Sequence, residues 1–424
     1  MERTEKQYQT YVQILKEELV PAMGCTEPIA IAYCAAKARK VLEKRPDKVV
    51  IEVSGNIIKN VKSVIVPNTG GLKGIEASAA AGIIAGKEEK ILEVIADVTE
   101  EEKKQIKEYL SEATFQVTPS TSDMIFDIVV TVYAKDSYAK VRIVNFHTNV
   151  VLIEKDGTTI YEAGTKTSNT VLSDRSLLNV QDIIAFADTV KIEDVKDVLA
   201  RQVSYNMAIA EEGMKGHYGA NIGKVLVNSY GDDVKVRARA MAAAGSDARM
   251  SGCELPVIIN SGSGNQGMTA SIPVVVYAKE LGKTEEELYR ALVVSNLITI
   301  HLKTGIGRLS AYCGAVSAGC GAGCGIAYLH GGRYDEIAHT LVNAVAIASG
   351  IVCDGAKPSC AAKIGASVDA GLMGYYMYVN GQQFRDGDGI VKKGVENTIA
   401  NVSRLGQVGM RETDKEIIKI MVGQ

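Results

Sequence analysis

Cys313, Cys353 and Cys360, together with the isolated Cys25 in Met23-Gly24-Cys25-Thr26-Glu27-Pro28, are the residues of this chain whose type and setting point most directly to chemistry. Thiols on distant segments, each set among glycines, suit metal ligation or reactive roles better than disulfides in a chain expected to stay reduced. The sequence holds eight cysteines. Cys320 and Cys324 stand one helical turn apart among Gly and Ala and read as small core residues, while Cys34 falls mid-helix and Cys253 has no partner pattern. Cys353 and Cys360 flank Gly355 and Pro358, which forbid a continuous helix and let a loop wrap a ligand; Cys313 comes from a separate glycine-bordered segment. This arrangement suggests an iron–sulfur cluster held by three thiolates, with one iron left open for a substrate. On spacing alone, which is less specific than a Cys-x-x-Cys pair, zinc or no metal remain alternatives. Cys25 lies at a break between two helices, where helix N-terminal amides favour a thiolate.

Polar residues that can serve such a centre occur in three segments. Ser261, Gly262, Ser263, Gly264, Asn265, Gln266 and Gly267 follow one apolar run and precede another, a setting in which glycine dihedrals and a helix N-terminus can aim several N–H groups at a carboxylate or phosphate. The loop matches neither a Walker nor a Rossmann pattern, which argues against nucleotide binding. Lys303 and Arg308 are cations just ahead of Cys313, with Lys303 the stronger candidate for contacting substrate, and Lys357 lies inside the loop between Cys353 and Cys360. His147, His217, His330 and His339 show no metal-ligand spacing and read as structural or surface residues. Glu211 and Glu212 read as a solvated face, and Arg385-Asp386-Gly387-Asp388-Gly389 as a polar turn lacking the further ligands of a calcium loop.

These residues need elements to position them. The 424 residues, 46% hydrophobic and 23% charged, are enough for two or three domains around a large core. A net charge of −3 with Lys and Arg scattered among Asp and Glu argues against nucleic acid and for a small-molecule partner. Residues 1–6 lack the regions of a secretory signal, so a cytoplasmic location is expected. Residues 309–329 are uncharged and long enough to span a bilayer, but their Gly, Ala, Ser and Cys content and the absence of Trp predict a buried helix and no membrane partner. Apolar residues at helical intervals (Tyr11, Ile14, Leu15, Leu19, then Ile29, Tyr33, Ala36, Val41) predict two helices, the second opened by Pro28. Val/Ile-rich runs at 49–53, 57–66, 126–133, 139–146 and 150–155 predict strands, with helices near 77–84 and 100–110 between them. The fold class expected is α+β. Residues 1–45 form N-terminal helices packing on the catalytic domain, 46–170 an α+β domain of mainly antiparallel strands, and 171–424 a Gly-rich helical catalytic domain. Gly-rich helices and the appended α+β unit are compatible with a homodimer.

With segments 21–28, 261–267 and 353–360 in view, and with intervals of 40 residues from Cys313 to Cys353 and 7 from Cys353 to Cys360, nearly the whole chain resembles the L-cysteine desulfidase family, relatives of the alpha chain of iron–sulfur L-serine dehydratases. The resemblance implies a 4Fe-4S cluster on Cys313, Cys353 and Cys360, an essential Cys25, and a C-terminal helical catalytic domain. It implies β-elimination of an amino-acid substrate, with cysteine giving pyruvate, ammonia and sulfide. Soft iron prefers sulfur and so favours cysteine over serine. Cys25 then serves as the base at Cα or as a resting fourth ligand; Lys303, Lys357 and the 261–267 loop hold the carboxylate or polarise the carbanion. Three other readings stand beside this one: an L-serine dehydratase with the same cluster, a pyridoxal-phosphate lyase using the loop as a phosphate cup, and a cysteine-sensing or sulfur-carrying protein without turnover.

Overall fold

The computed structural model describes residues 1–164 and 172–423, so the expected domain boundary at 170/171 lies outside the described residues. In chain order the elements are α1 (Lys6–Glu18), β1 (Pro21–Met23), α2 (Thr26–Leu42), β2 (Lys48–Val53), α3 (Gly55–Val61), α4 (Gly74–Ala85) and α5 (Glu100–Glu112). Strands β3 (Thr114–Pro119), β4 (Asp127–Ala134), β5 (Ser137–Val144), β6 (Val150–Lys155) and β7 (Thr158–Glu162) follow. Helices α6 (Val180–Thr189), α7 (Ile192–Lys215), α8 (Ile222–Tyr230) and α9 (Val234–Met250) lead to β8 (Pro256–Ile258). The chain continues through α10 (Gly264–Glu280), α11 (Glu285–Ile306), α12 (Gly314–Leu329), α13 (Tyr334–Ala348), α14 (Ser359–Val379), α15 (Val395–Arg404) and α16 (Arg411–Val422). The fold is α+β, as the residue patterns predict.

A six-stranded sheet in the order β3-β2-β4-β5-β6-β7 forms the smaller part. Only β2 and β3 run parallel; the other neighbours are antiparallel hairpins or near-neighbours in sequence. Its alternating Val and Ile side chains bury one face under α2, which also packs along α4. The two N-terminal helices therefore part company: α1 lies against α7 and α11 of the helical part, whereas α2 crosses the sheet. Residues 57–66, expected as a strand, start in α3 instead. Ile57 and Val61 share one helical face, and Asn56 Nδ2 and buried Lys59 Nζ reach Asp414 of α16 at 2.8 and 2.5 Å. A tertiary partner more than 350 positions away thus overrides the β-propensity of the Val/Ile run.

The helical part is built around α12, which packs against α10, α11, α13 and α14. Among the described residues no helix is long and apolar enough to cross a membrane, and α12 is buried inside the protein. Its glycines let it approach α14 to backbone contact: a Cβ on Gly319 would fall 2.3 Å from the Ser367 carbonyl oxygen, and one on Gly323 2.5 Å from that of Gly371. The constant offset of 48 residues (319 to 367, 323 to 371) means the two helices run parallel, so their N-termini, near Cys313 and Cys360, lie at the same end. Against α11 the sense is opposite, since Gly321 meets Ser295 and Gly325 meets Ala291, which returns the C-terminus of α11 and Lys303 to that end. Gly323→Leu is expected to lower stability by about 1–3 kcal/mol or more, because the added atoms must displace backbone and not a flexible side chain. A urea midpoint unchanged in that variant would remove the close crossing.

Candidate active site

Two short backbone pairings bring the chemistry-bearing segments together. Strands β1 and β8 pair antiparallel, Pro21 opposite Ile258 and Met23 opposite Pro256, so the Cys25 turn and the 261–267 loop leave opposite ends of one short ribbon and are joined by side chains. Thr26 Oγ1 donates to the Gly262 carbonyl at 2.9 Å. Arg249, buried at the end of α9, donates Nε to the Gly24 carbonyl at 2.8 Å and Nη1 to Asn265 Oδ1 at 3.0 Å, so one guanidinium latches both loops. The second pairing joins the chain before α12 to the chain before α14: Cys313 N–H donates to Ile351 O at 3.1 Å and Cys353 N–H to Ala311 O at 2.6 Å. Cys313 then caps α12, and Cys360 sits in the first turn of α14. Gly355, at φ +92°, lets the loop between Cys353 and Cys360 press on α3, where a Cβ would meet the Lys59 carbonyl oxygen at 2.2 Å.

Cys25, Cys313, Cys353 and Cys360 line a single cavity of about 100 Å³. Ser261, Ser263, Asn265, Gln266 and Lys303 line it too, as do Glu27, Lys59, His147, Arg249 and Arg308. Gln266 Oε1 is buried and has no hydrogen-bond partner among the described residues, against the N-terminus of α12 at Gly314. Gly264 and Gly267 serve the loop from behind: Gly264 makes room for the Arg249 guanidinium and Gly267 for the Ile258 carbonyl. Lys357 turns back on its own loop, donating to the Asp354 and Gly355 carbonyls at 3.2 Å and pairing with the Asp354 carboxylate, which Lys363 also holds. Cys34, Cys320 and Cys324 are fully buried packing residues, as their helical settings predict.

Electrostatics separate the roles of these groups. Burial pushes the Cys25 thiol well above its ordinary range and the Glu27 carboxylate adds to this, with Arg249 working against both. The helix N-terminus therefore does not by itself make a thiolate of Cys25; instead its Sγ donates to Glu27 Oε2 at 3.2 Å. Burial would also raise Glu27, but the His147 ring, with Nε2 3.8 Å from Oε1, and the Cys25 thiol together hold its carboxyl down at about 2. Cys313 is pushed up to about 12 by burial and by the neighbouring Cys353, and Cys360 rises for the same two reasons. Lys303, almost without exposed surface, is pushed down to about 8 by burial, against the pull of the Cys353 and Cys313 sulfurs; its Nζ donates to the Arg308 carbonyl at 3.4 Å.

Among the described residues, no three or more His, Cys, Asp or Glu side chains converge as a single metal ion would require. A polynuclear cluster instead takes one thiolate at each of several irons, so its ligands stand around a cavity and not around a point. Cys353 adds to the upward shift of both Cys313 and Cys360 while all three line one cavity, a donor set that gains from a cationic partner, and in this respect the residues fit an iron–sulfur group.

A family model described as serine dehydratase alpha chain matches residues 89–419. The chain belongs to that family. The match to the serine dehydratase alpha chain family spans Cys313, Cys353, Cys360, Lys303 and the 261–267 loop and begins after Cys25. The chain is also similar over its length to three UPF0597 proteins: that of Desulfitobacterium hafniense (69% identical, 100% of this chain and 99% of the relative), of Lachnoclostridium phytofermentans (51%, 98% and 100%) and of Treponema denticola (49%, 100% of both). For this member of the serine dehydratase alpha chain family, residue patterns overlooked Glu27, Lys59, His147 and Arg249. A lone Asp-Ala-Arg step ending the Ala-rich run at 242–248 was the available signal for Arg249. His147 carries none, since it reaches the cavity from a turn after β5.

Proposed function

We propose that this protein is an iron–sulfur-dependent β-eliminating lyase acting on L-cysteine, converting it with water to pyruvate, ammonia and hydrogen sulfide. The observation that carries the reading is the meeting of Cys313, Cys353 and Cys360 with Cys25 on one cavity, in a chain of the serine dehydratase alpha chain family. In this reading Cys313, Cys353 and Cys360 hold a 4Fe-4S cluster. When bound, such a cluster supplies a Lewis-acidic iron that draws electrons from the β-substituent without net redox change.

The protein's own residues supply the rest. Arg249 fixes the Cys25 turn against the 261–267 loop, so that base and substrate cradle keep one spacing. The Cα proton leaves to the hydrogen-bonded Cys25–Glu27 pair, behind which His147 extends the line. Ser261, Ser263, Asn265 and the unpartnered Gln266 Oε1 face the polar end of the substrate. Lys303 offsets the negative charge that grows as the proton departs. Lys357 braces the Cys353–Cys360 loop through Asp354. The aminoacrylate released by loss of sulfide tautomerises to the imine and hydrolyses to pyruvate and ammonia.

The description of the matched family favours L-serine as a second reading with the same site. Anaerobic purification with iron and acid-labile sulfide counted, followed by sulfide release from L-cysteine and pyruvate formation from L-serine, tests both. Greater kcat/KM for L-cysteine is expected; the reverse order would transfer the assignment to serine. Full turnover by iron-free protein would overturn both. A borohydride-sensitive visible band would point to the aldehyde cofactor.

A further inference from the structure

A second, larger cavity of about 410 Å³ lies outside the thiol-lined one, and the two share three residues: His147, Gly262 and Arg308. Gly262 makes the junction narrow, for at φ +84° its missing Cβ would stand 3.0 Å from Arg308 Nη1 and 3.2 Å from the His147 ring. Arg308 closes the passage from one side. Its guanidinium lies 4.6 Å over the Phe146 ring, and Nη2 donates to Glu18 Oε1 at 2.8 Å.

That ion pair is built to be exchanged. The same Glu18 oxygen accepts from Arg175 Nη2 at 2.8 Å, and Arg175 also pairs with Glu17 at 2.7 Å. If Arg308 turned to another carboxylate, buried Glu18 would keep a cation, so the usual penalty for stranding a buried charge would not apply. The outer wall's other described cation, Lys90, pairs with Asp97, which Lys87 also holds, but of the two cations Arg308 alone lines the thiol-lined cavity as well, so an anion received at Arg308 lies on the way inward. The same wall carries Glu17, Glu18 and Glu93, a mixture that suits a small zwitterion better than a dianion. Ile91 on this wall has φ +54° and ψ −110°, a conformation costly for a β-branched residue and one that tends to be kept where function needs it.

We propose that the outer cavity is the entry vestibule for a small zwitterionic α-amino acid, and that Arg308 is the positioning residue that takes the incoming α-carboxylate from solvent and passes it to the 261–267 loop. This rests on the reaction proposed above, yet its central element, recognition of a carboxylate at Arg308, can be read without turnover. Binding of L-alanine, which has no leaving group, is compared by calorimetry with binding of L-alaninamide, which has no carboxylate, using anaerobically prepared wild-type, Arg308→Lys and Arg308→Gln proteins.

The wild type is expected to prefer L-alanine by at least about tenfold, the scale of one charge-assisted hydrogen-bonded pair, with Arg308→Lys keeping part of the preference and Arg308→Gln losing it. With a substrate that turns over, Arg308→Gln should raise KM by a similar factor and leave kcat within about twofold. Thr148→Trp, which fills the vestibule from its exposed rim, should lower kcat/KM and leave the wild-type preference for alanine over alaninamide. A preference unchanged by Arg308→Gln, or its absence from the wild type, overturns the proposal. Loss of the preference in Arg308→Gln with no turnover of cysteine or serine by the wild type upholds the carboxylate gate and removes the reaction.

Discussion

Cys353→Ala is expected to lose bound iron and turnover together. Cys353 is one of four thiols on the cavity wall and the one whose backbone N–H is pinned to the Ala311 carbonyl at 2.6 Å, so its position depends little on what occupies the cavity. Removing the side chain leaves Cys313 and Cys360 as a pair from different helices, too few for a cluster that uses three thiolates and keeps one iron open. Without a Lewis acid to draw off the β-substituent, kcat/KM should fall by at least about a thousandfold. Cys320→Ala is the matched control. That thiol is buried inside α12 away from the cavity, so iron and activity should stay and the cost should be a core truncation of about 1 kcal/mol. Iron counted per chain, read with the visible spectrum under nitrogen, decides the matter; a Cys353→Ala protein with full iron would remove the ligand assignment.

Cys25→Ala should separate what Cys353→Ala removes together. Iron should remain at the wild-type level, while kcat falls by about a hundredfold to ten-thousandfold, the range for deleting a positioned general base. Glu27 would stay in place beside an empty position, its carboxyl still held low by His147, which is why binding of substrate should survive better than turnover. A changed visible spectrum at unchanged iron content would identify Cys25 as a ligand of the resting centre; an unchanged spectrum with lost turnover would identify it as the base alone. Retention of more than about a tenth of wild-type kcat would exclude Cys25 from proton transfer.

The parts of the site legible in the residue pattern were those whose chemistry is local. Thiols beside Gly355 and Pro358 announce a loop that can wrap a ligand, and a Gly/Ser/Asn/Gln segment before an apolar run announces the start of a helix, here α10. The α+β class followed from the change of apolar period near residue 48 and its reversal near 173. What escaped depends on distant partners. Lys59 reads as a surface lysine in a Val/Ile run until Asp414 of α16 buries it and turns that run into α3. Arg249 reads as a helix-end charge until the pairing of β1 with β8 delivers two loops to its guanidinium. Lys357, adjacent in sequence to Cys353 and Cys360, has its ammonium claimed by Asp354 three residues back, a local preference that sequence proximity to the thiols hides.

The parallel register of α12 and α14 has a bearing on how the protein meets oxygen. Since Gly319 and Gly323 lock the two helices through main-chain atoms, the gap between their sulfur-bearing ends belongs to the scaffold and does not await iron to define it. With the centre proposed above, a protein of this design is expected to keep its shape when bleached by air and to regain its colour on supply of iron, sulfide and reductant, so damage to the centre would be a matter of repair and not of new synthesis.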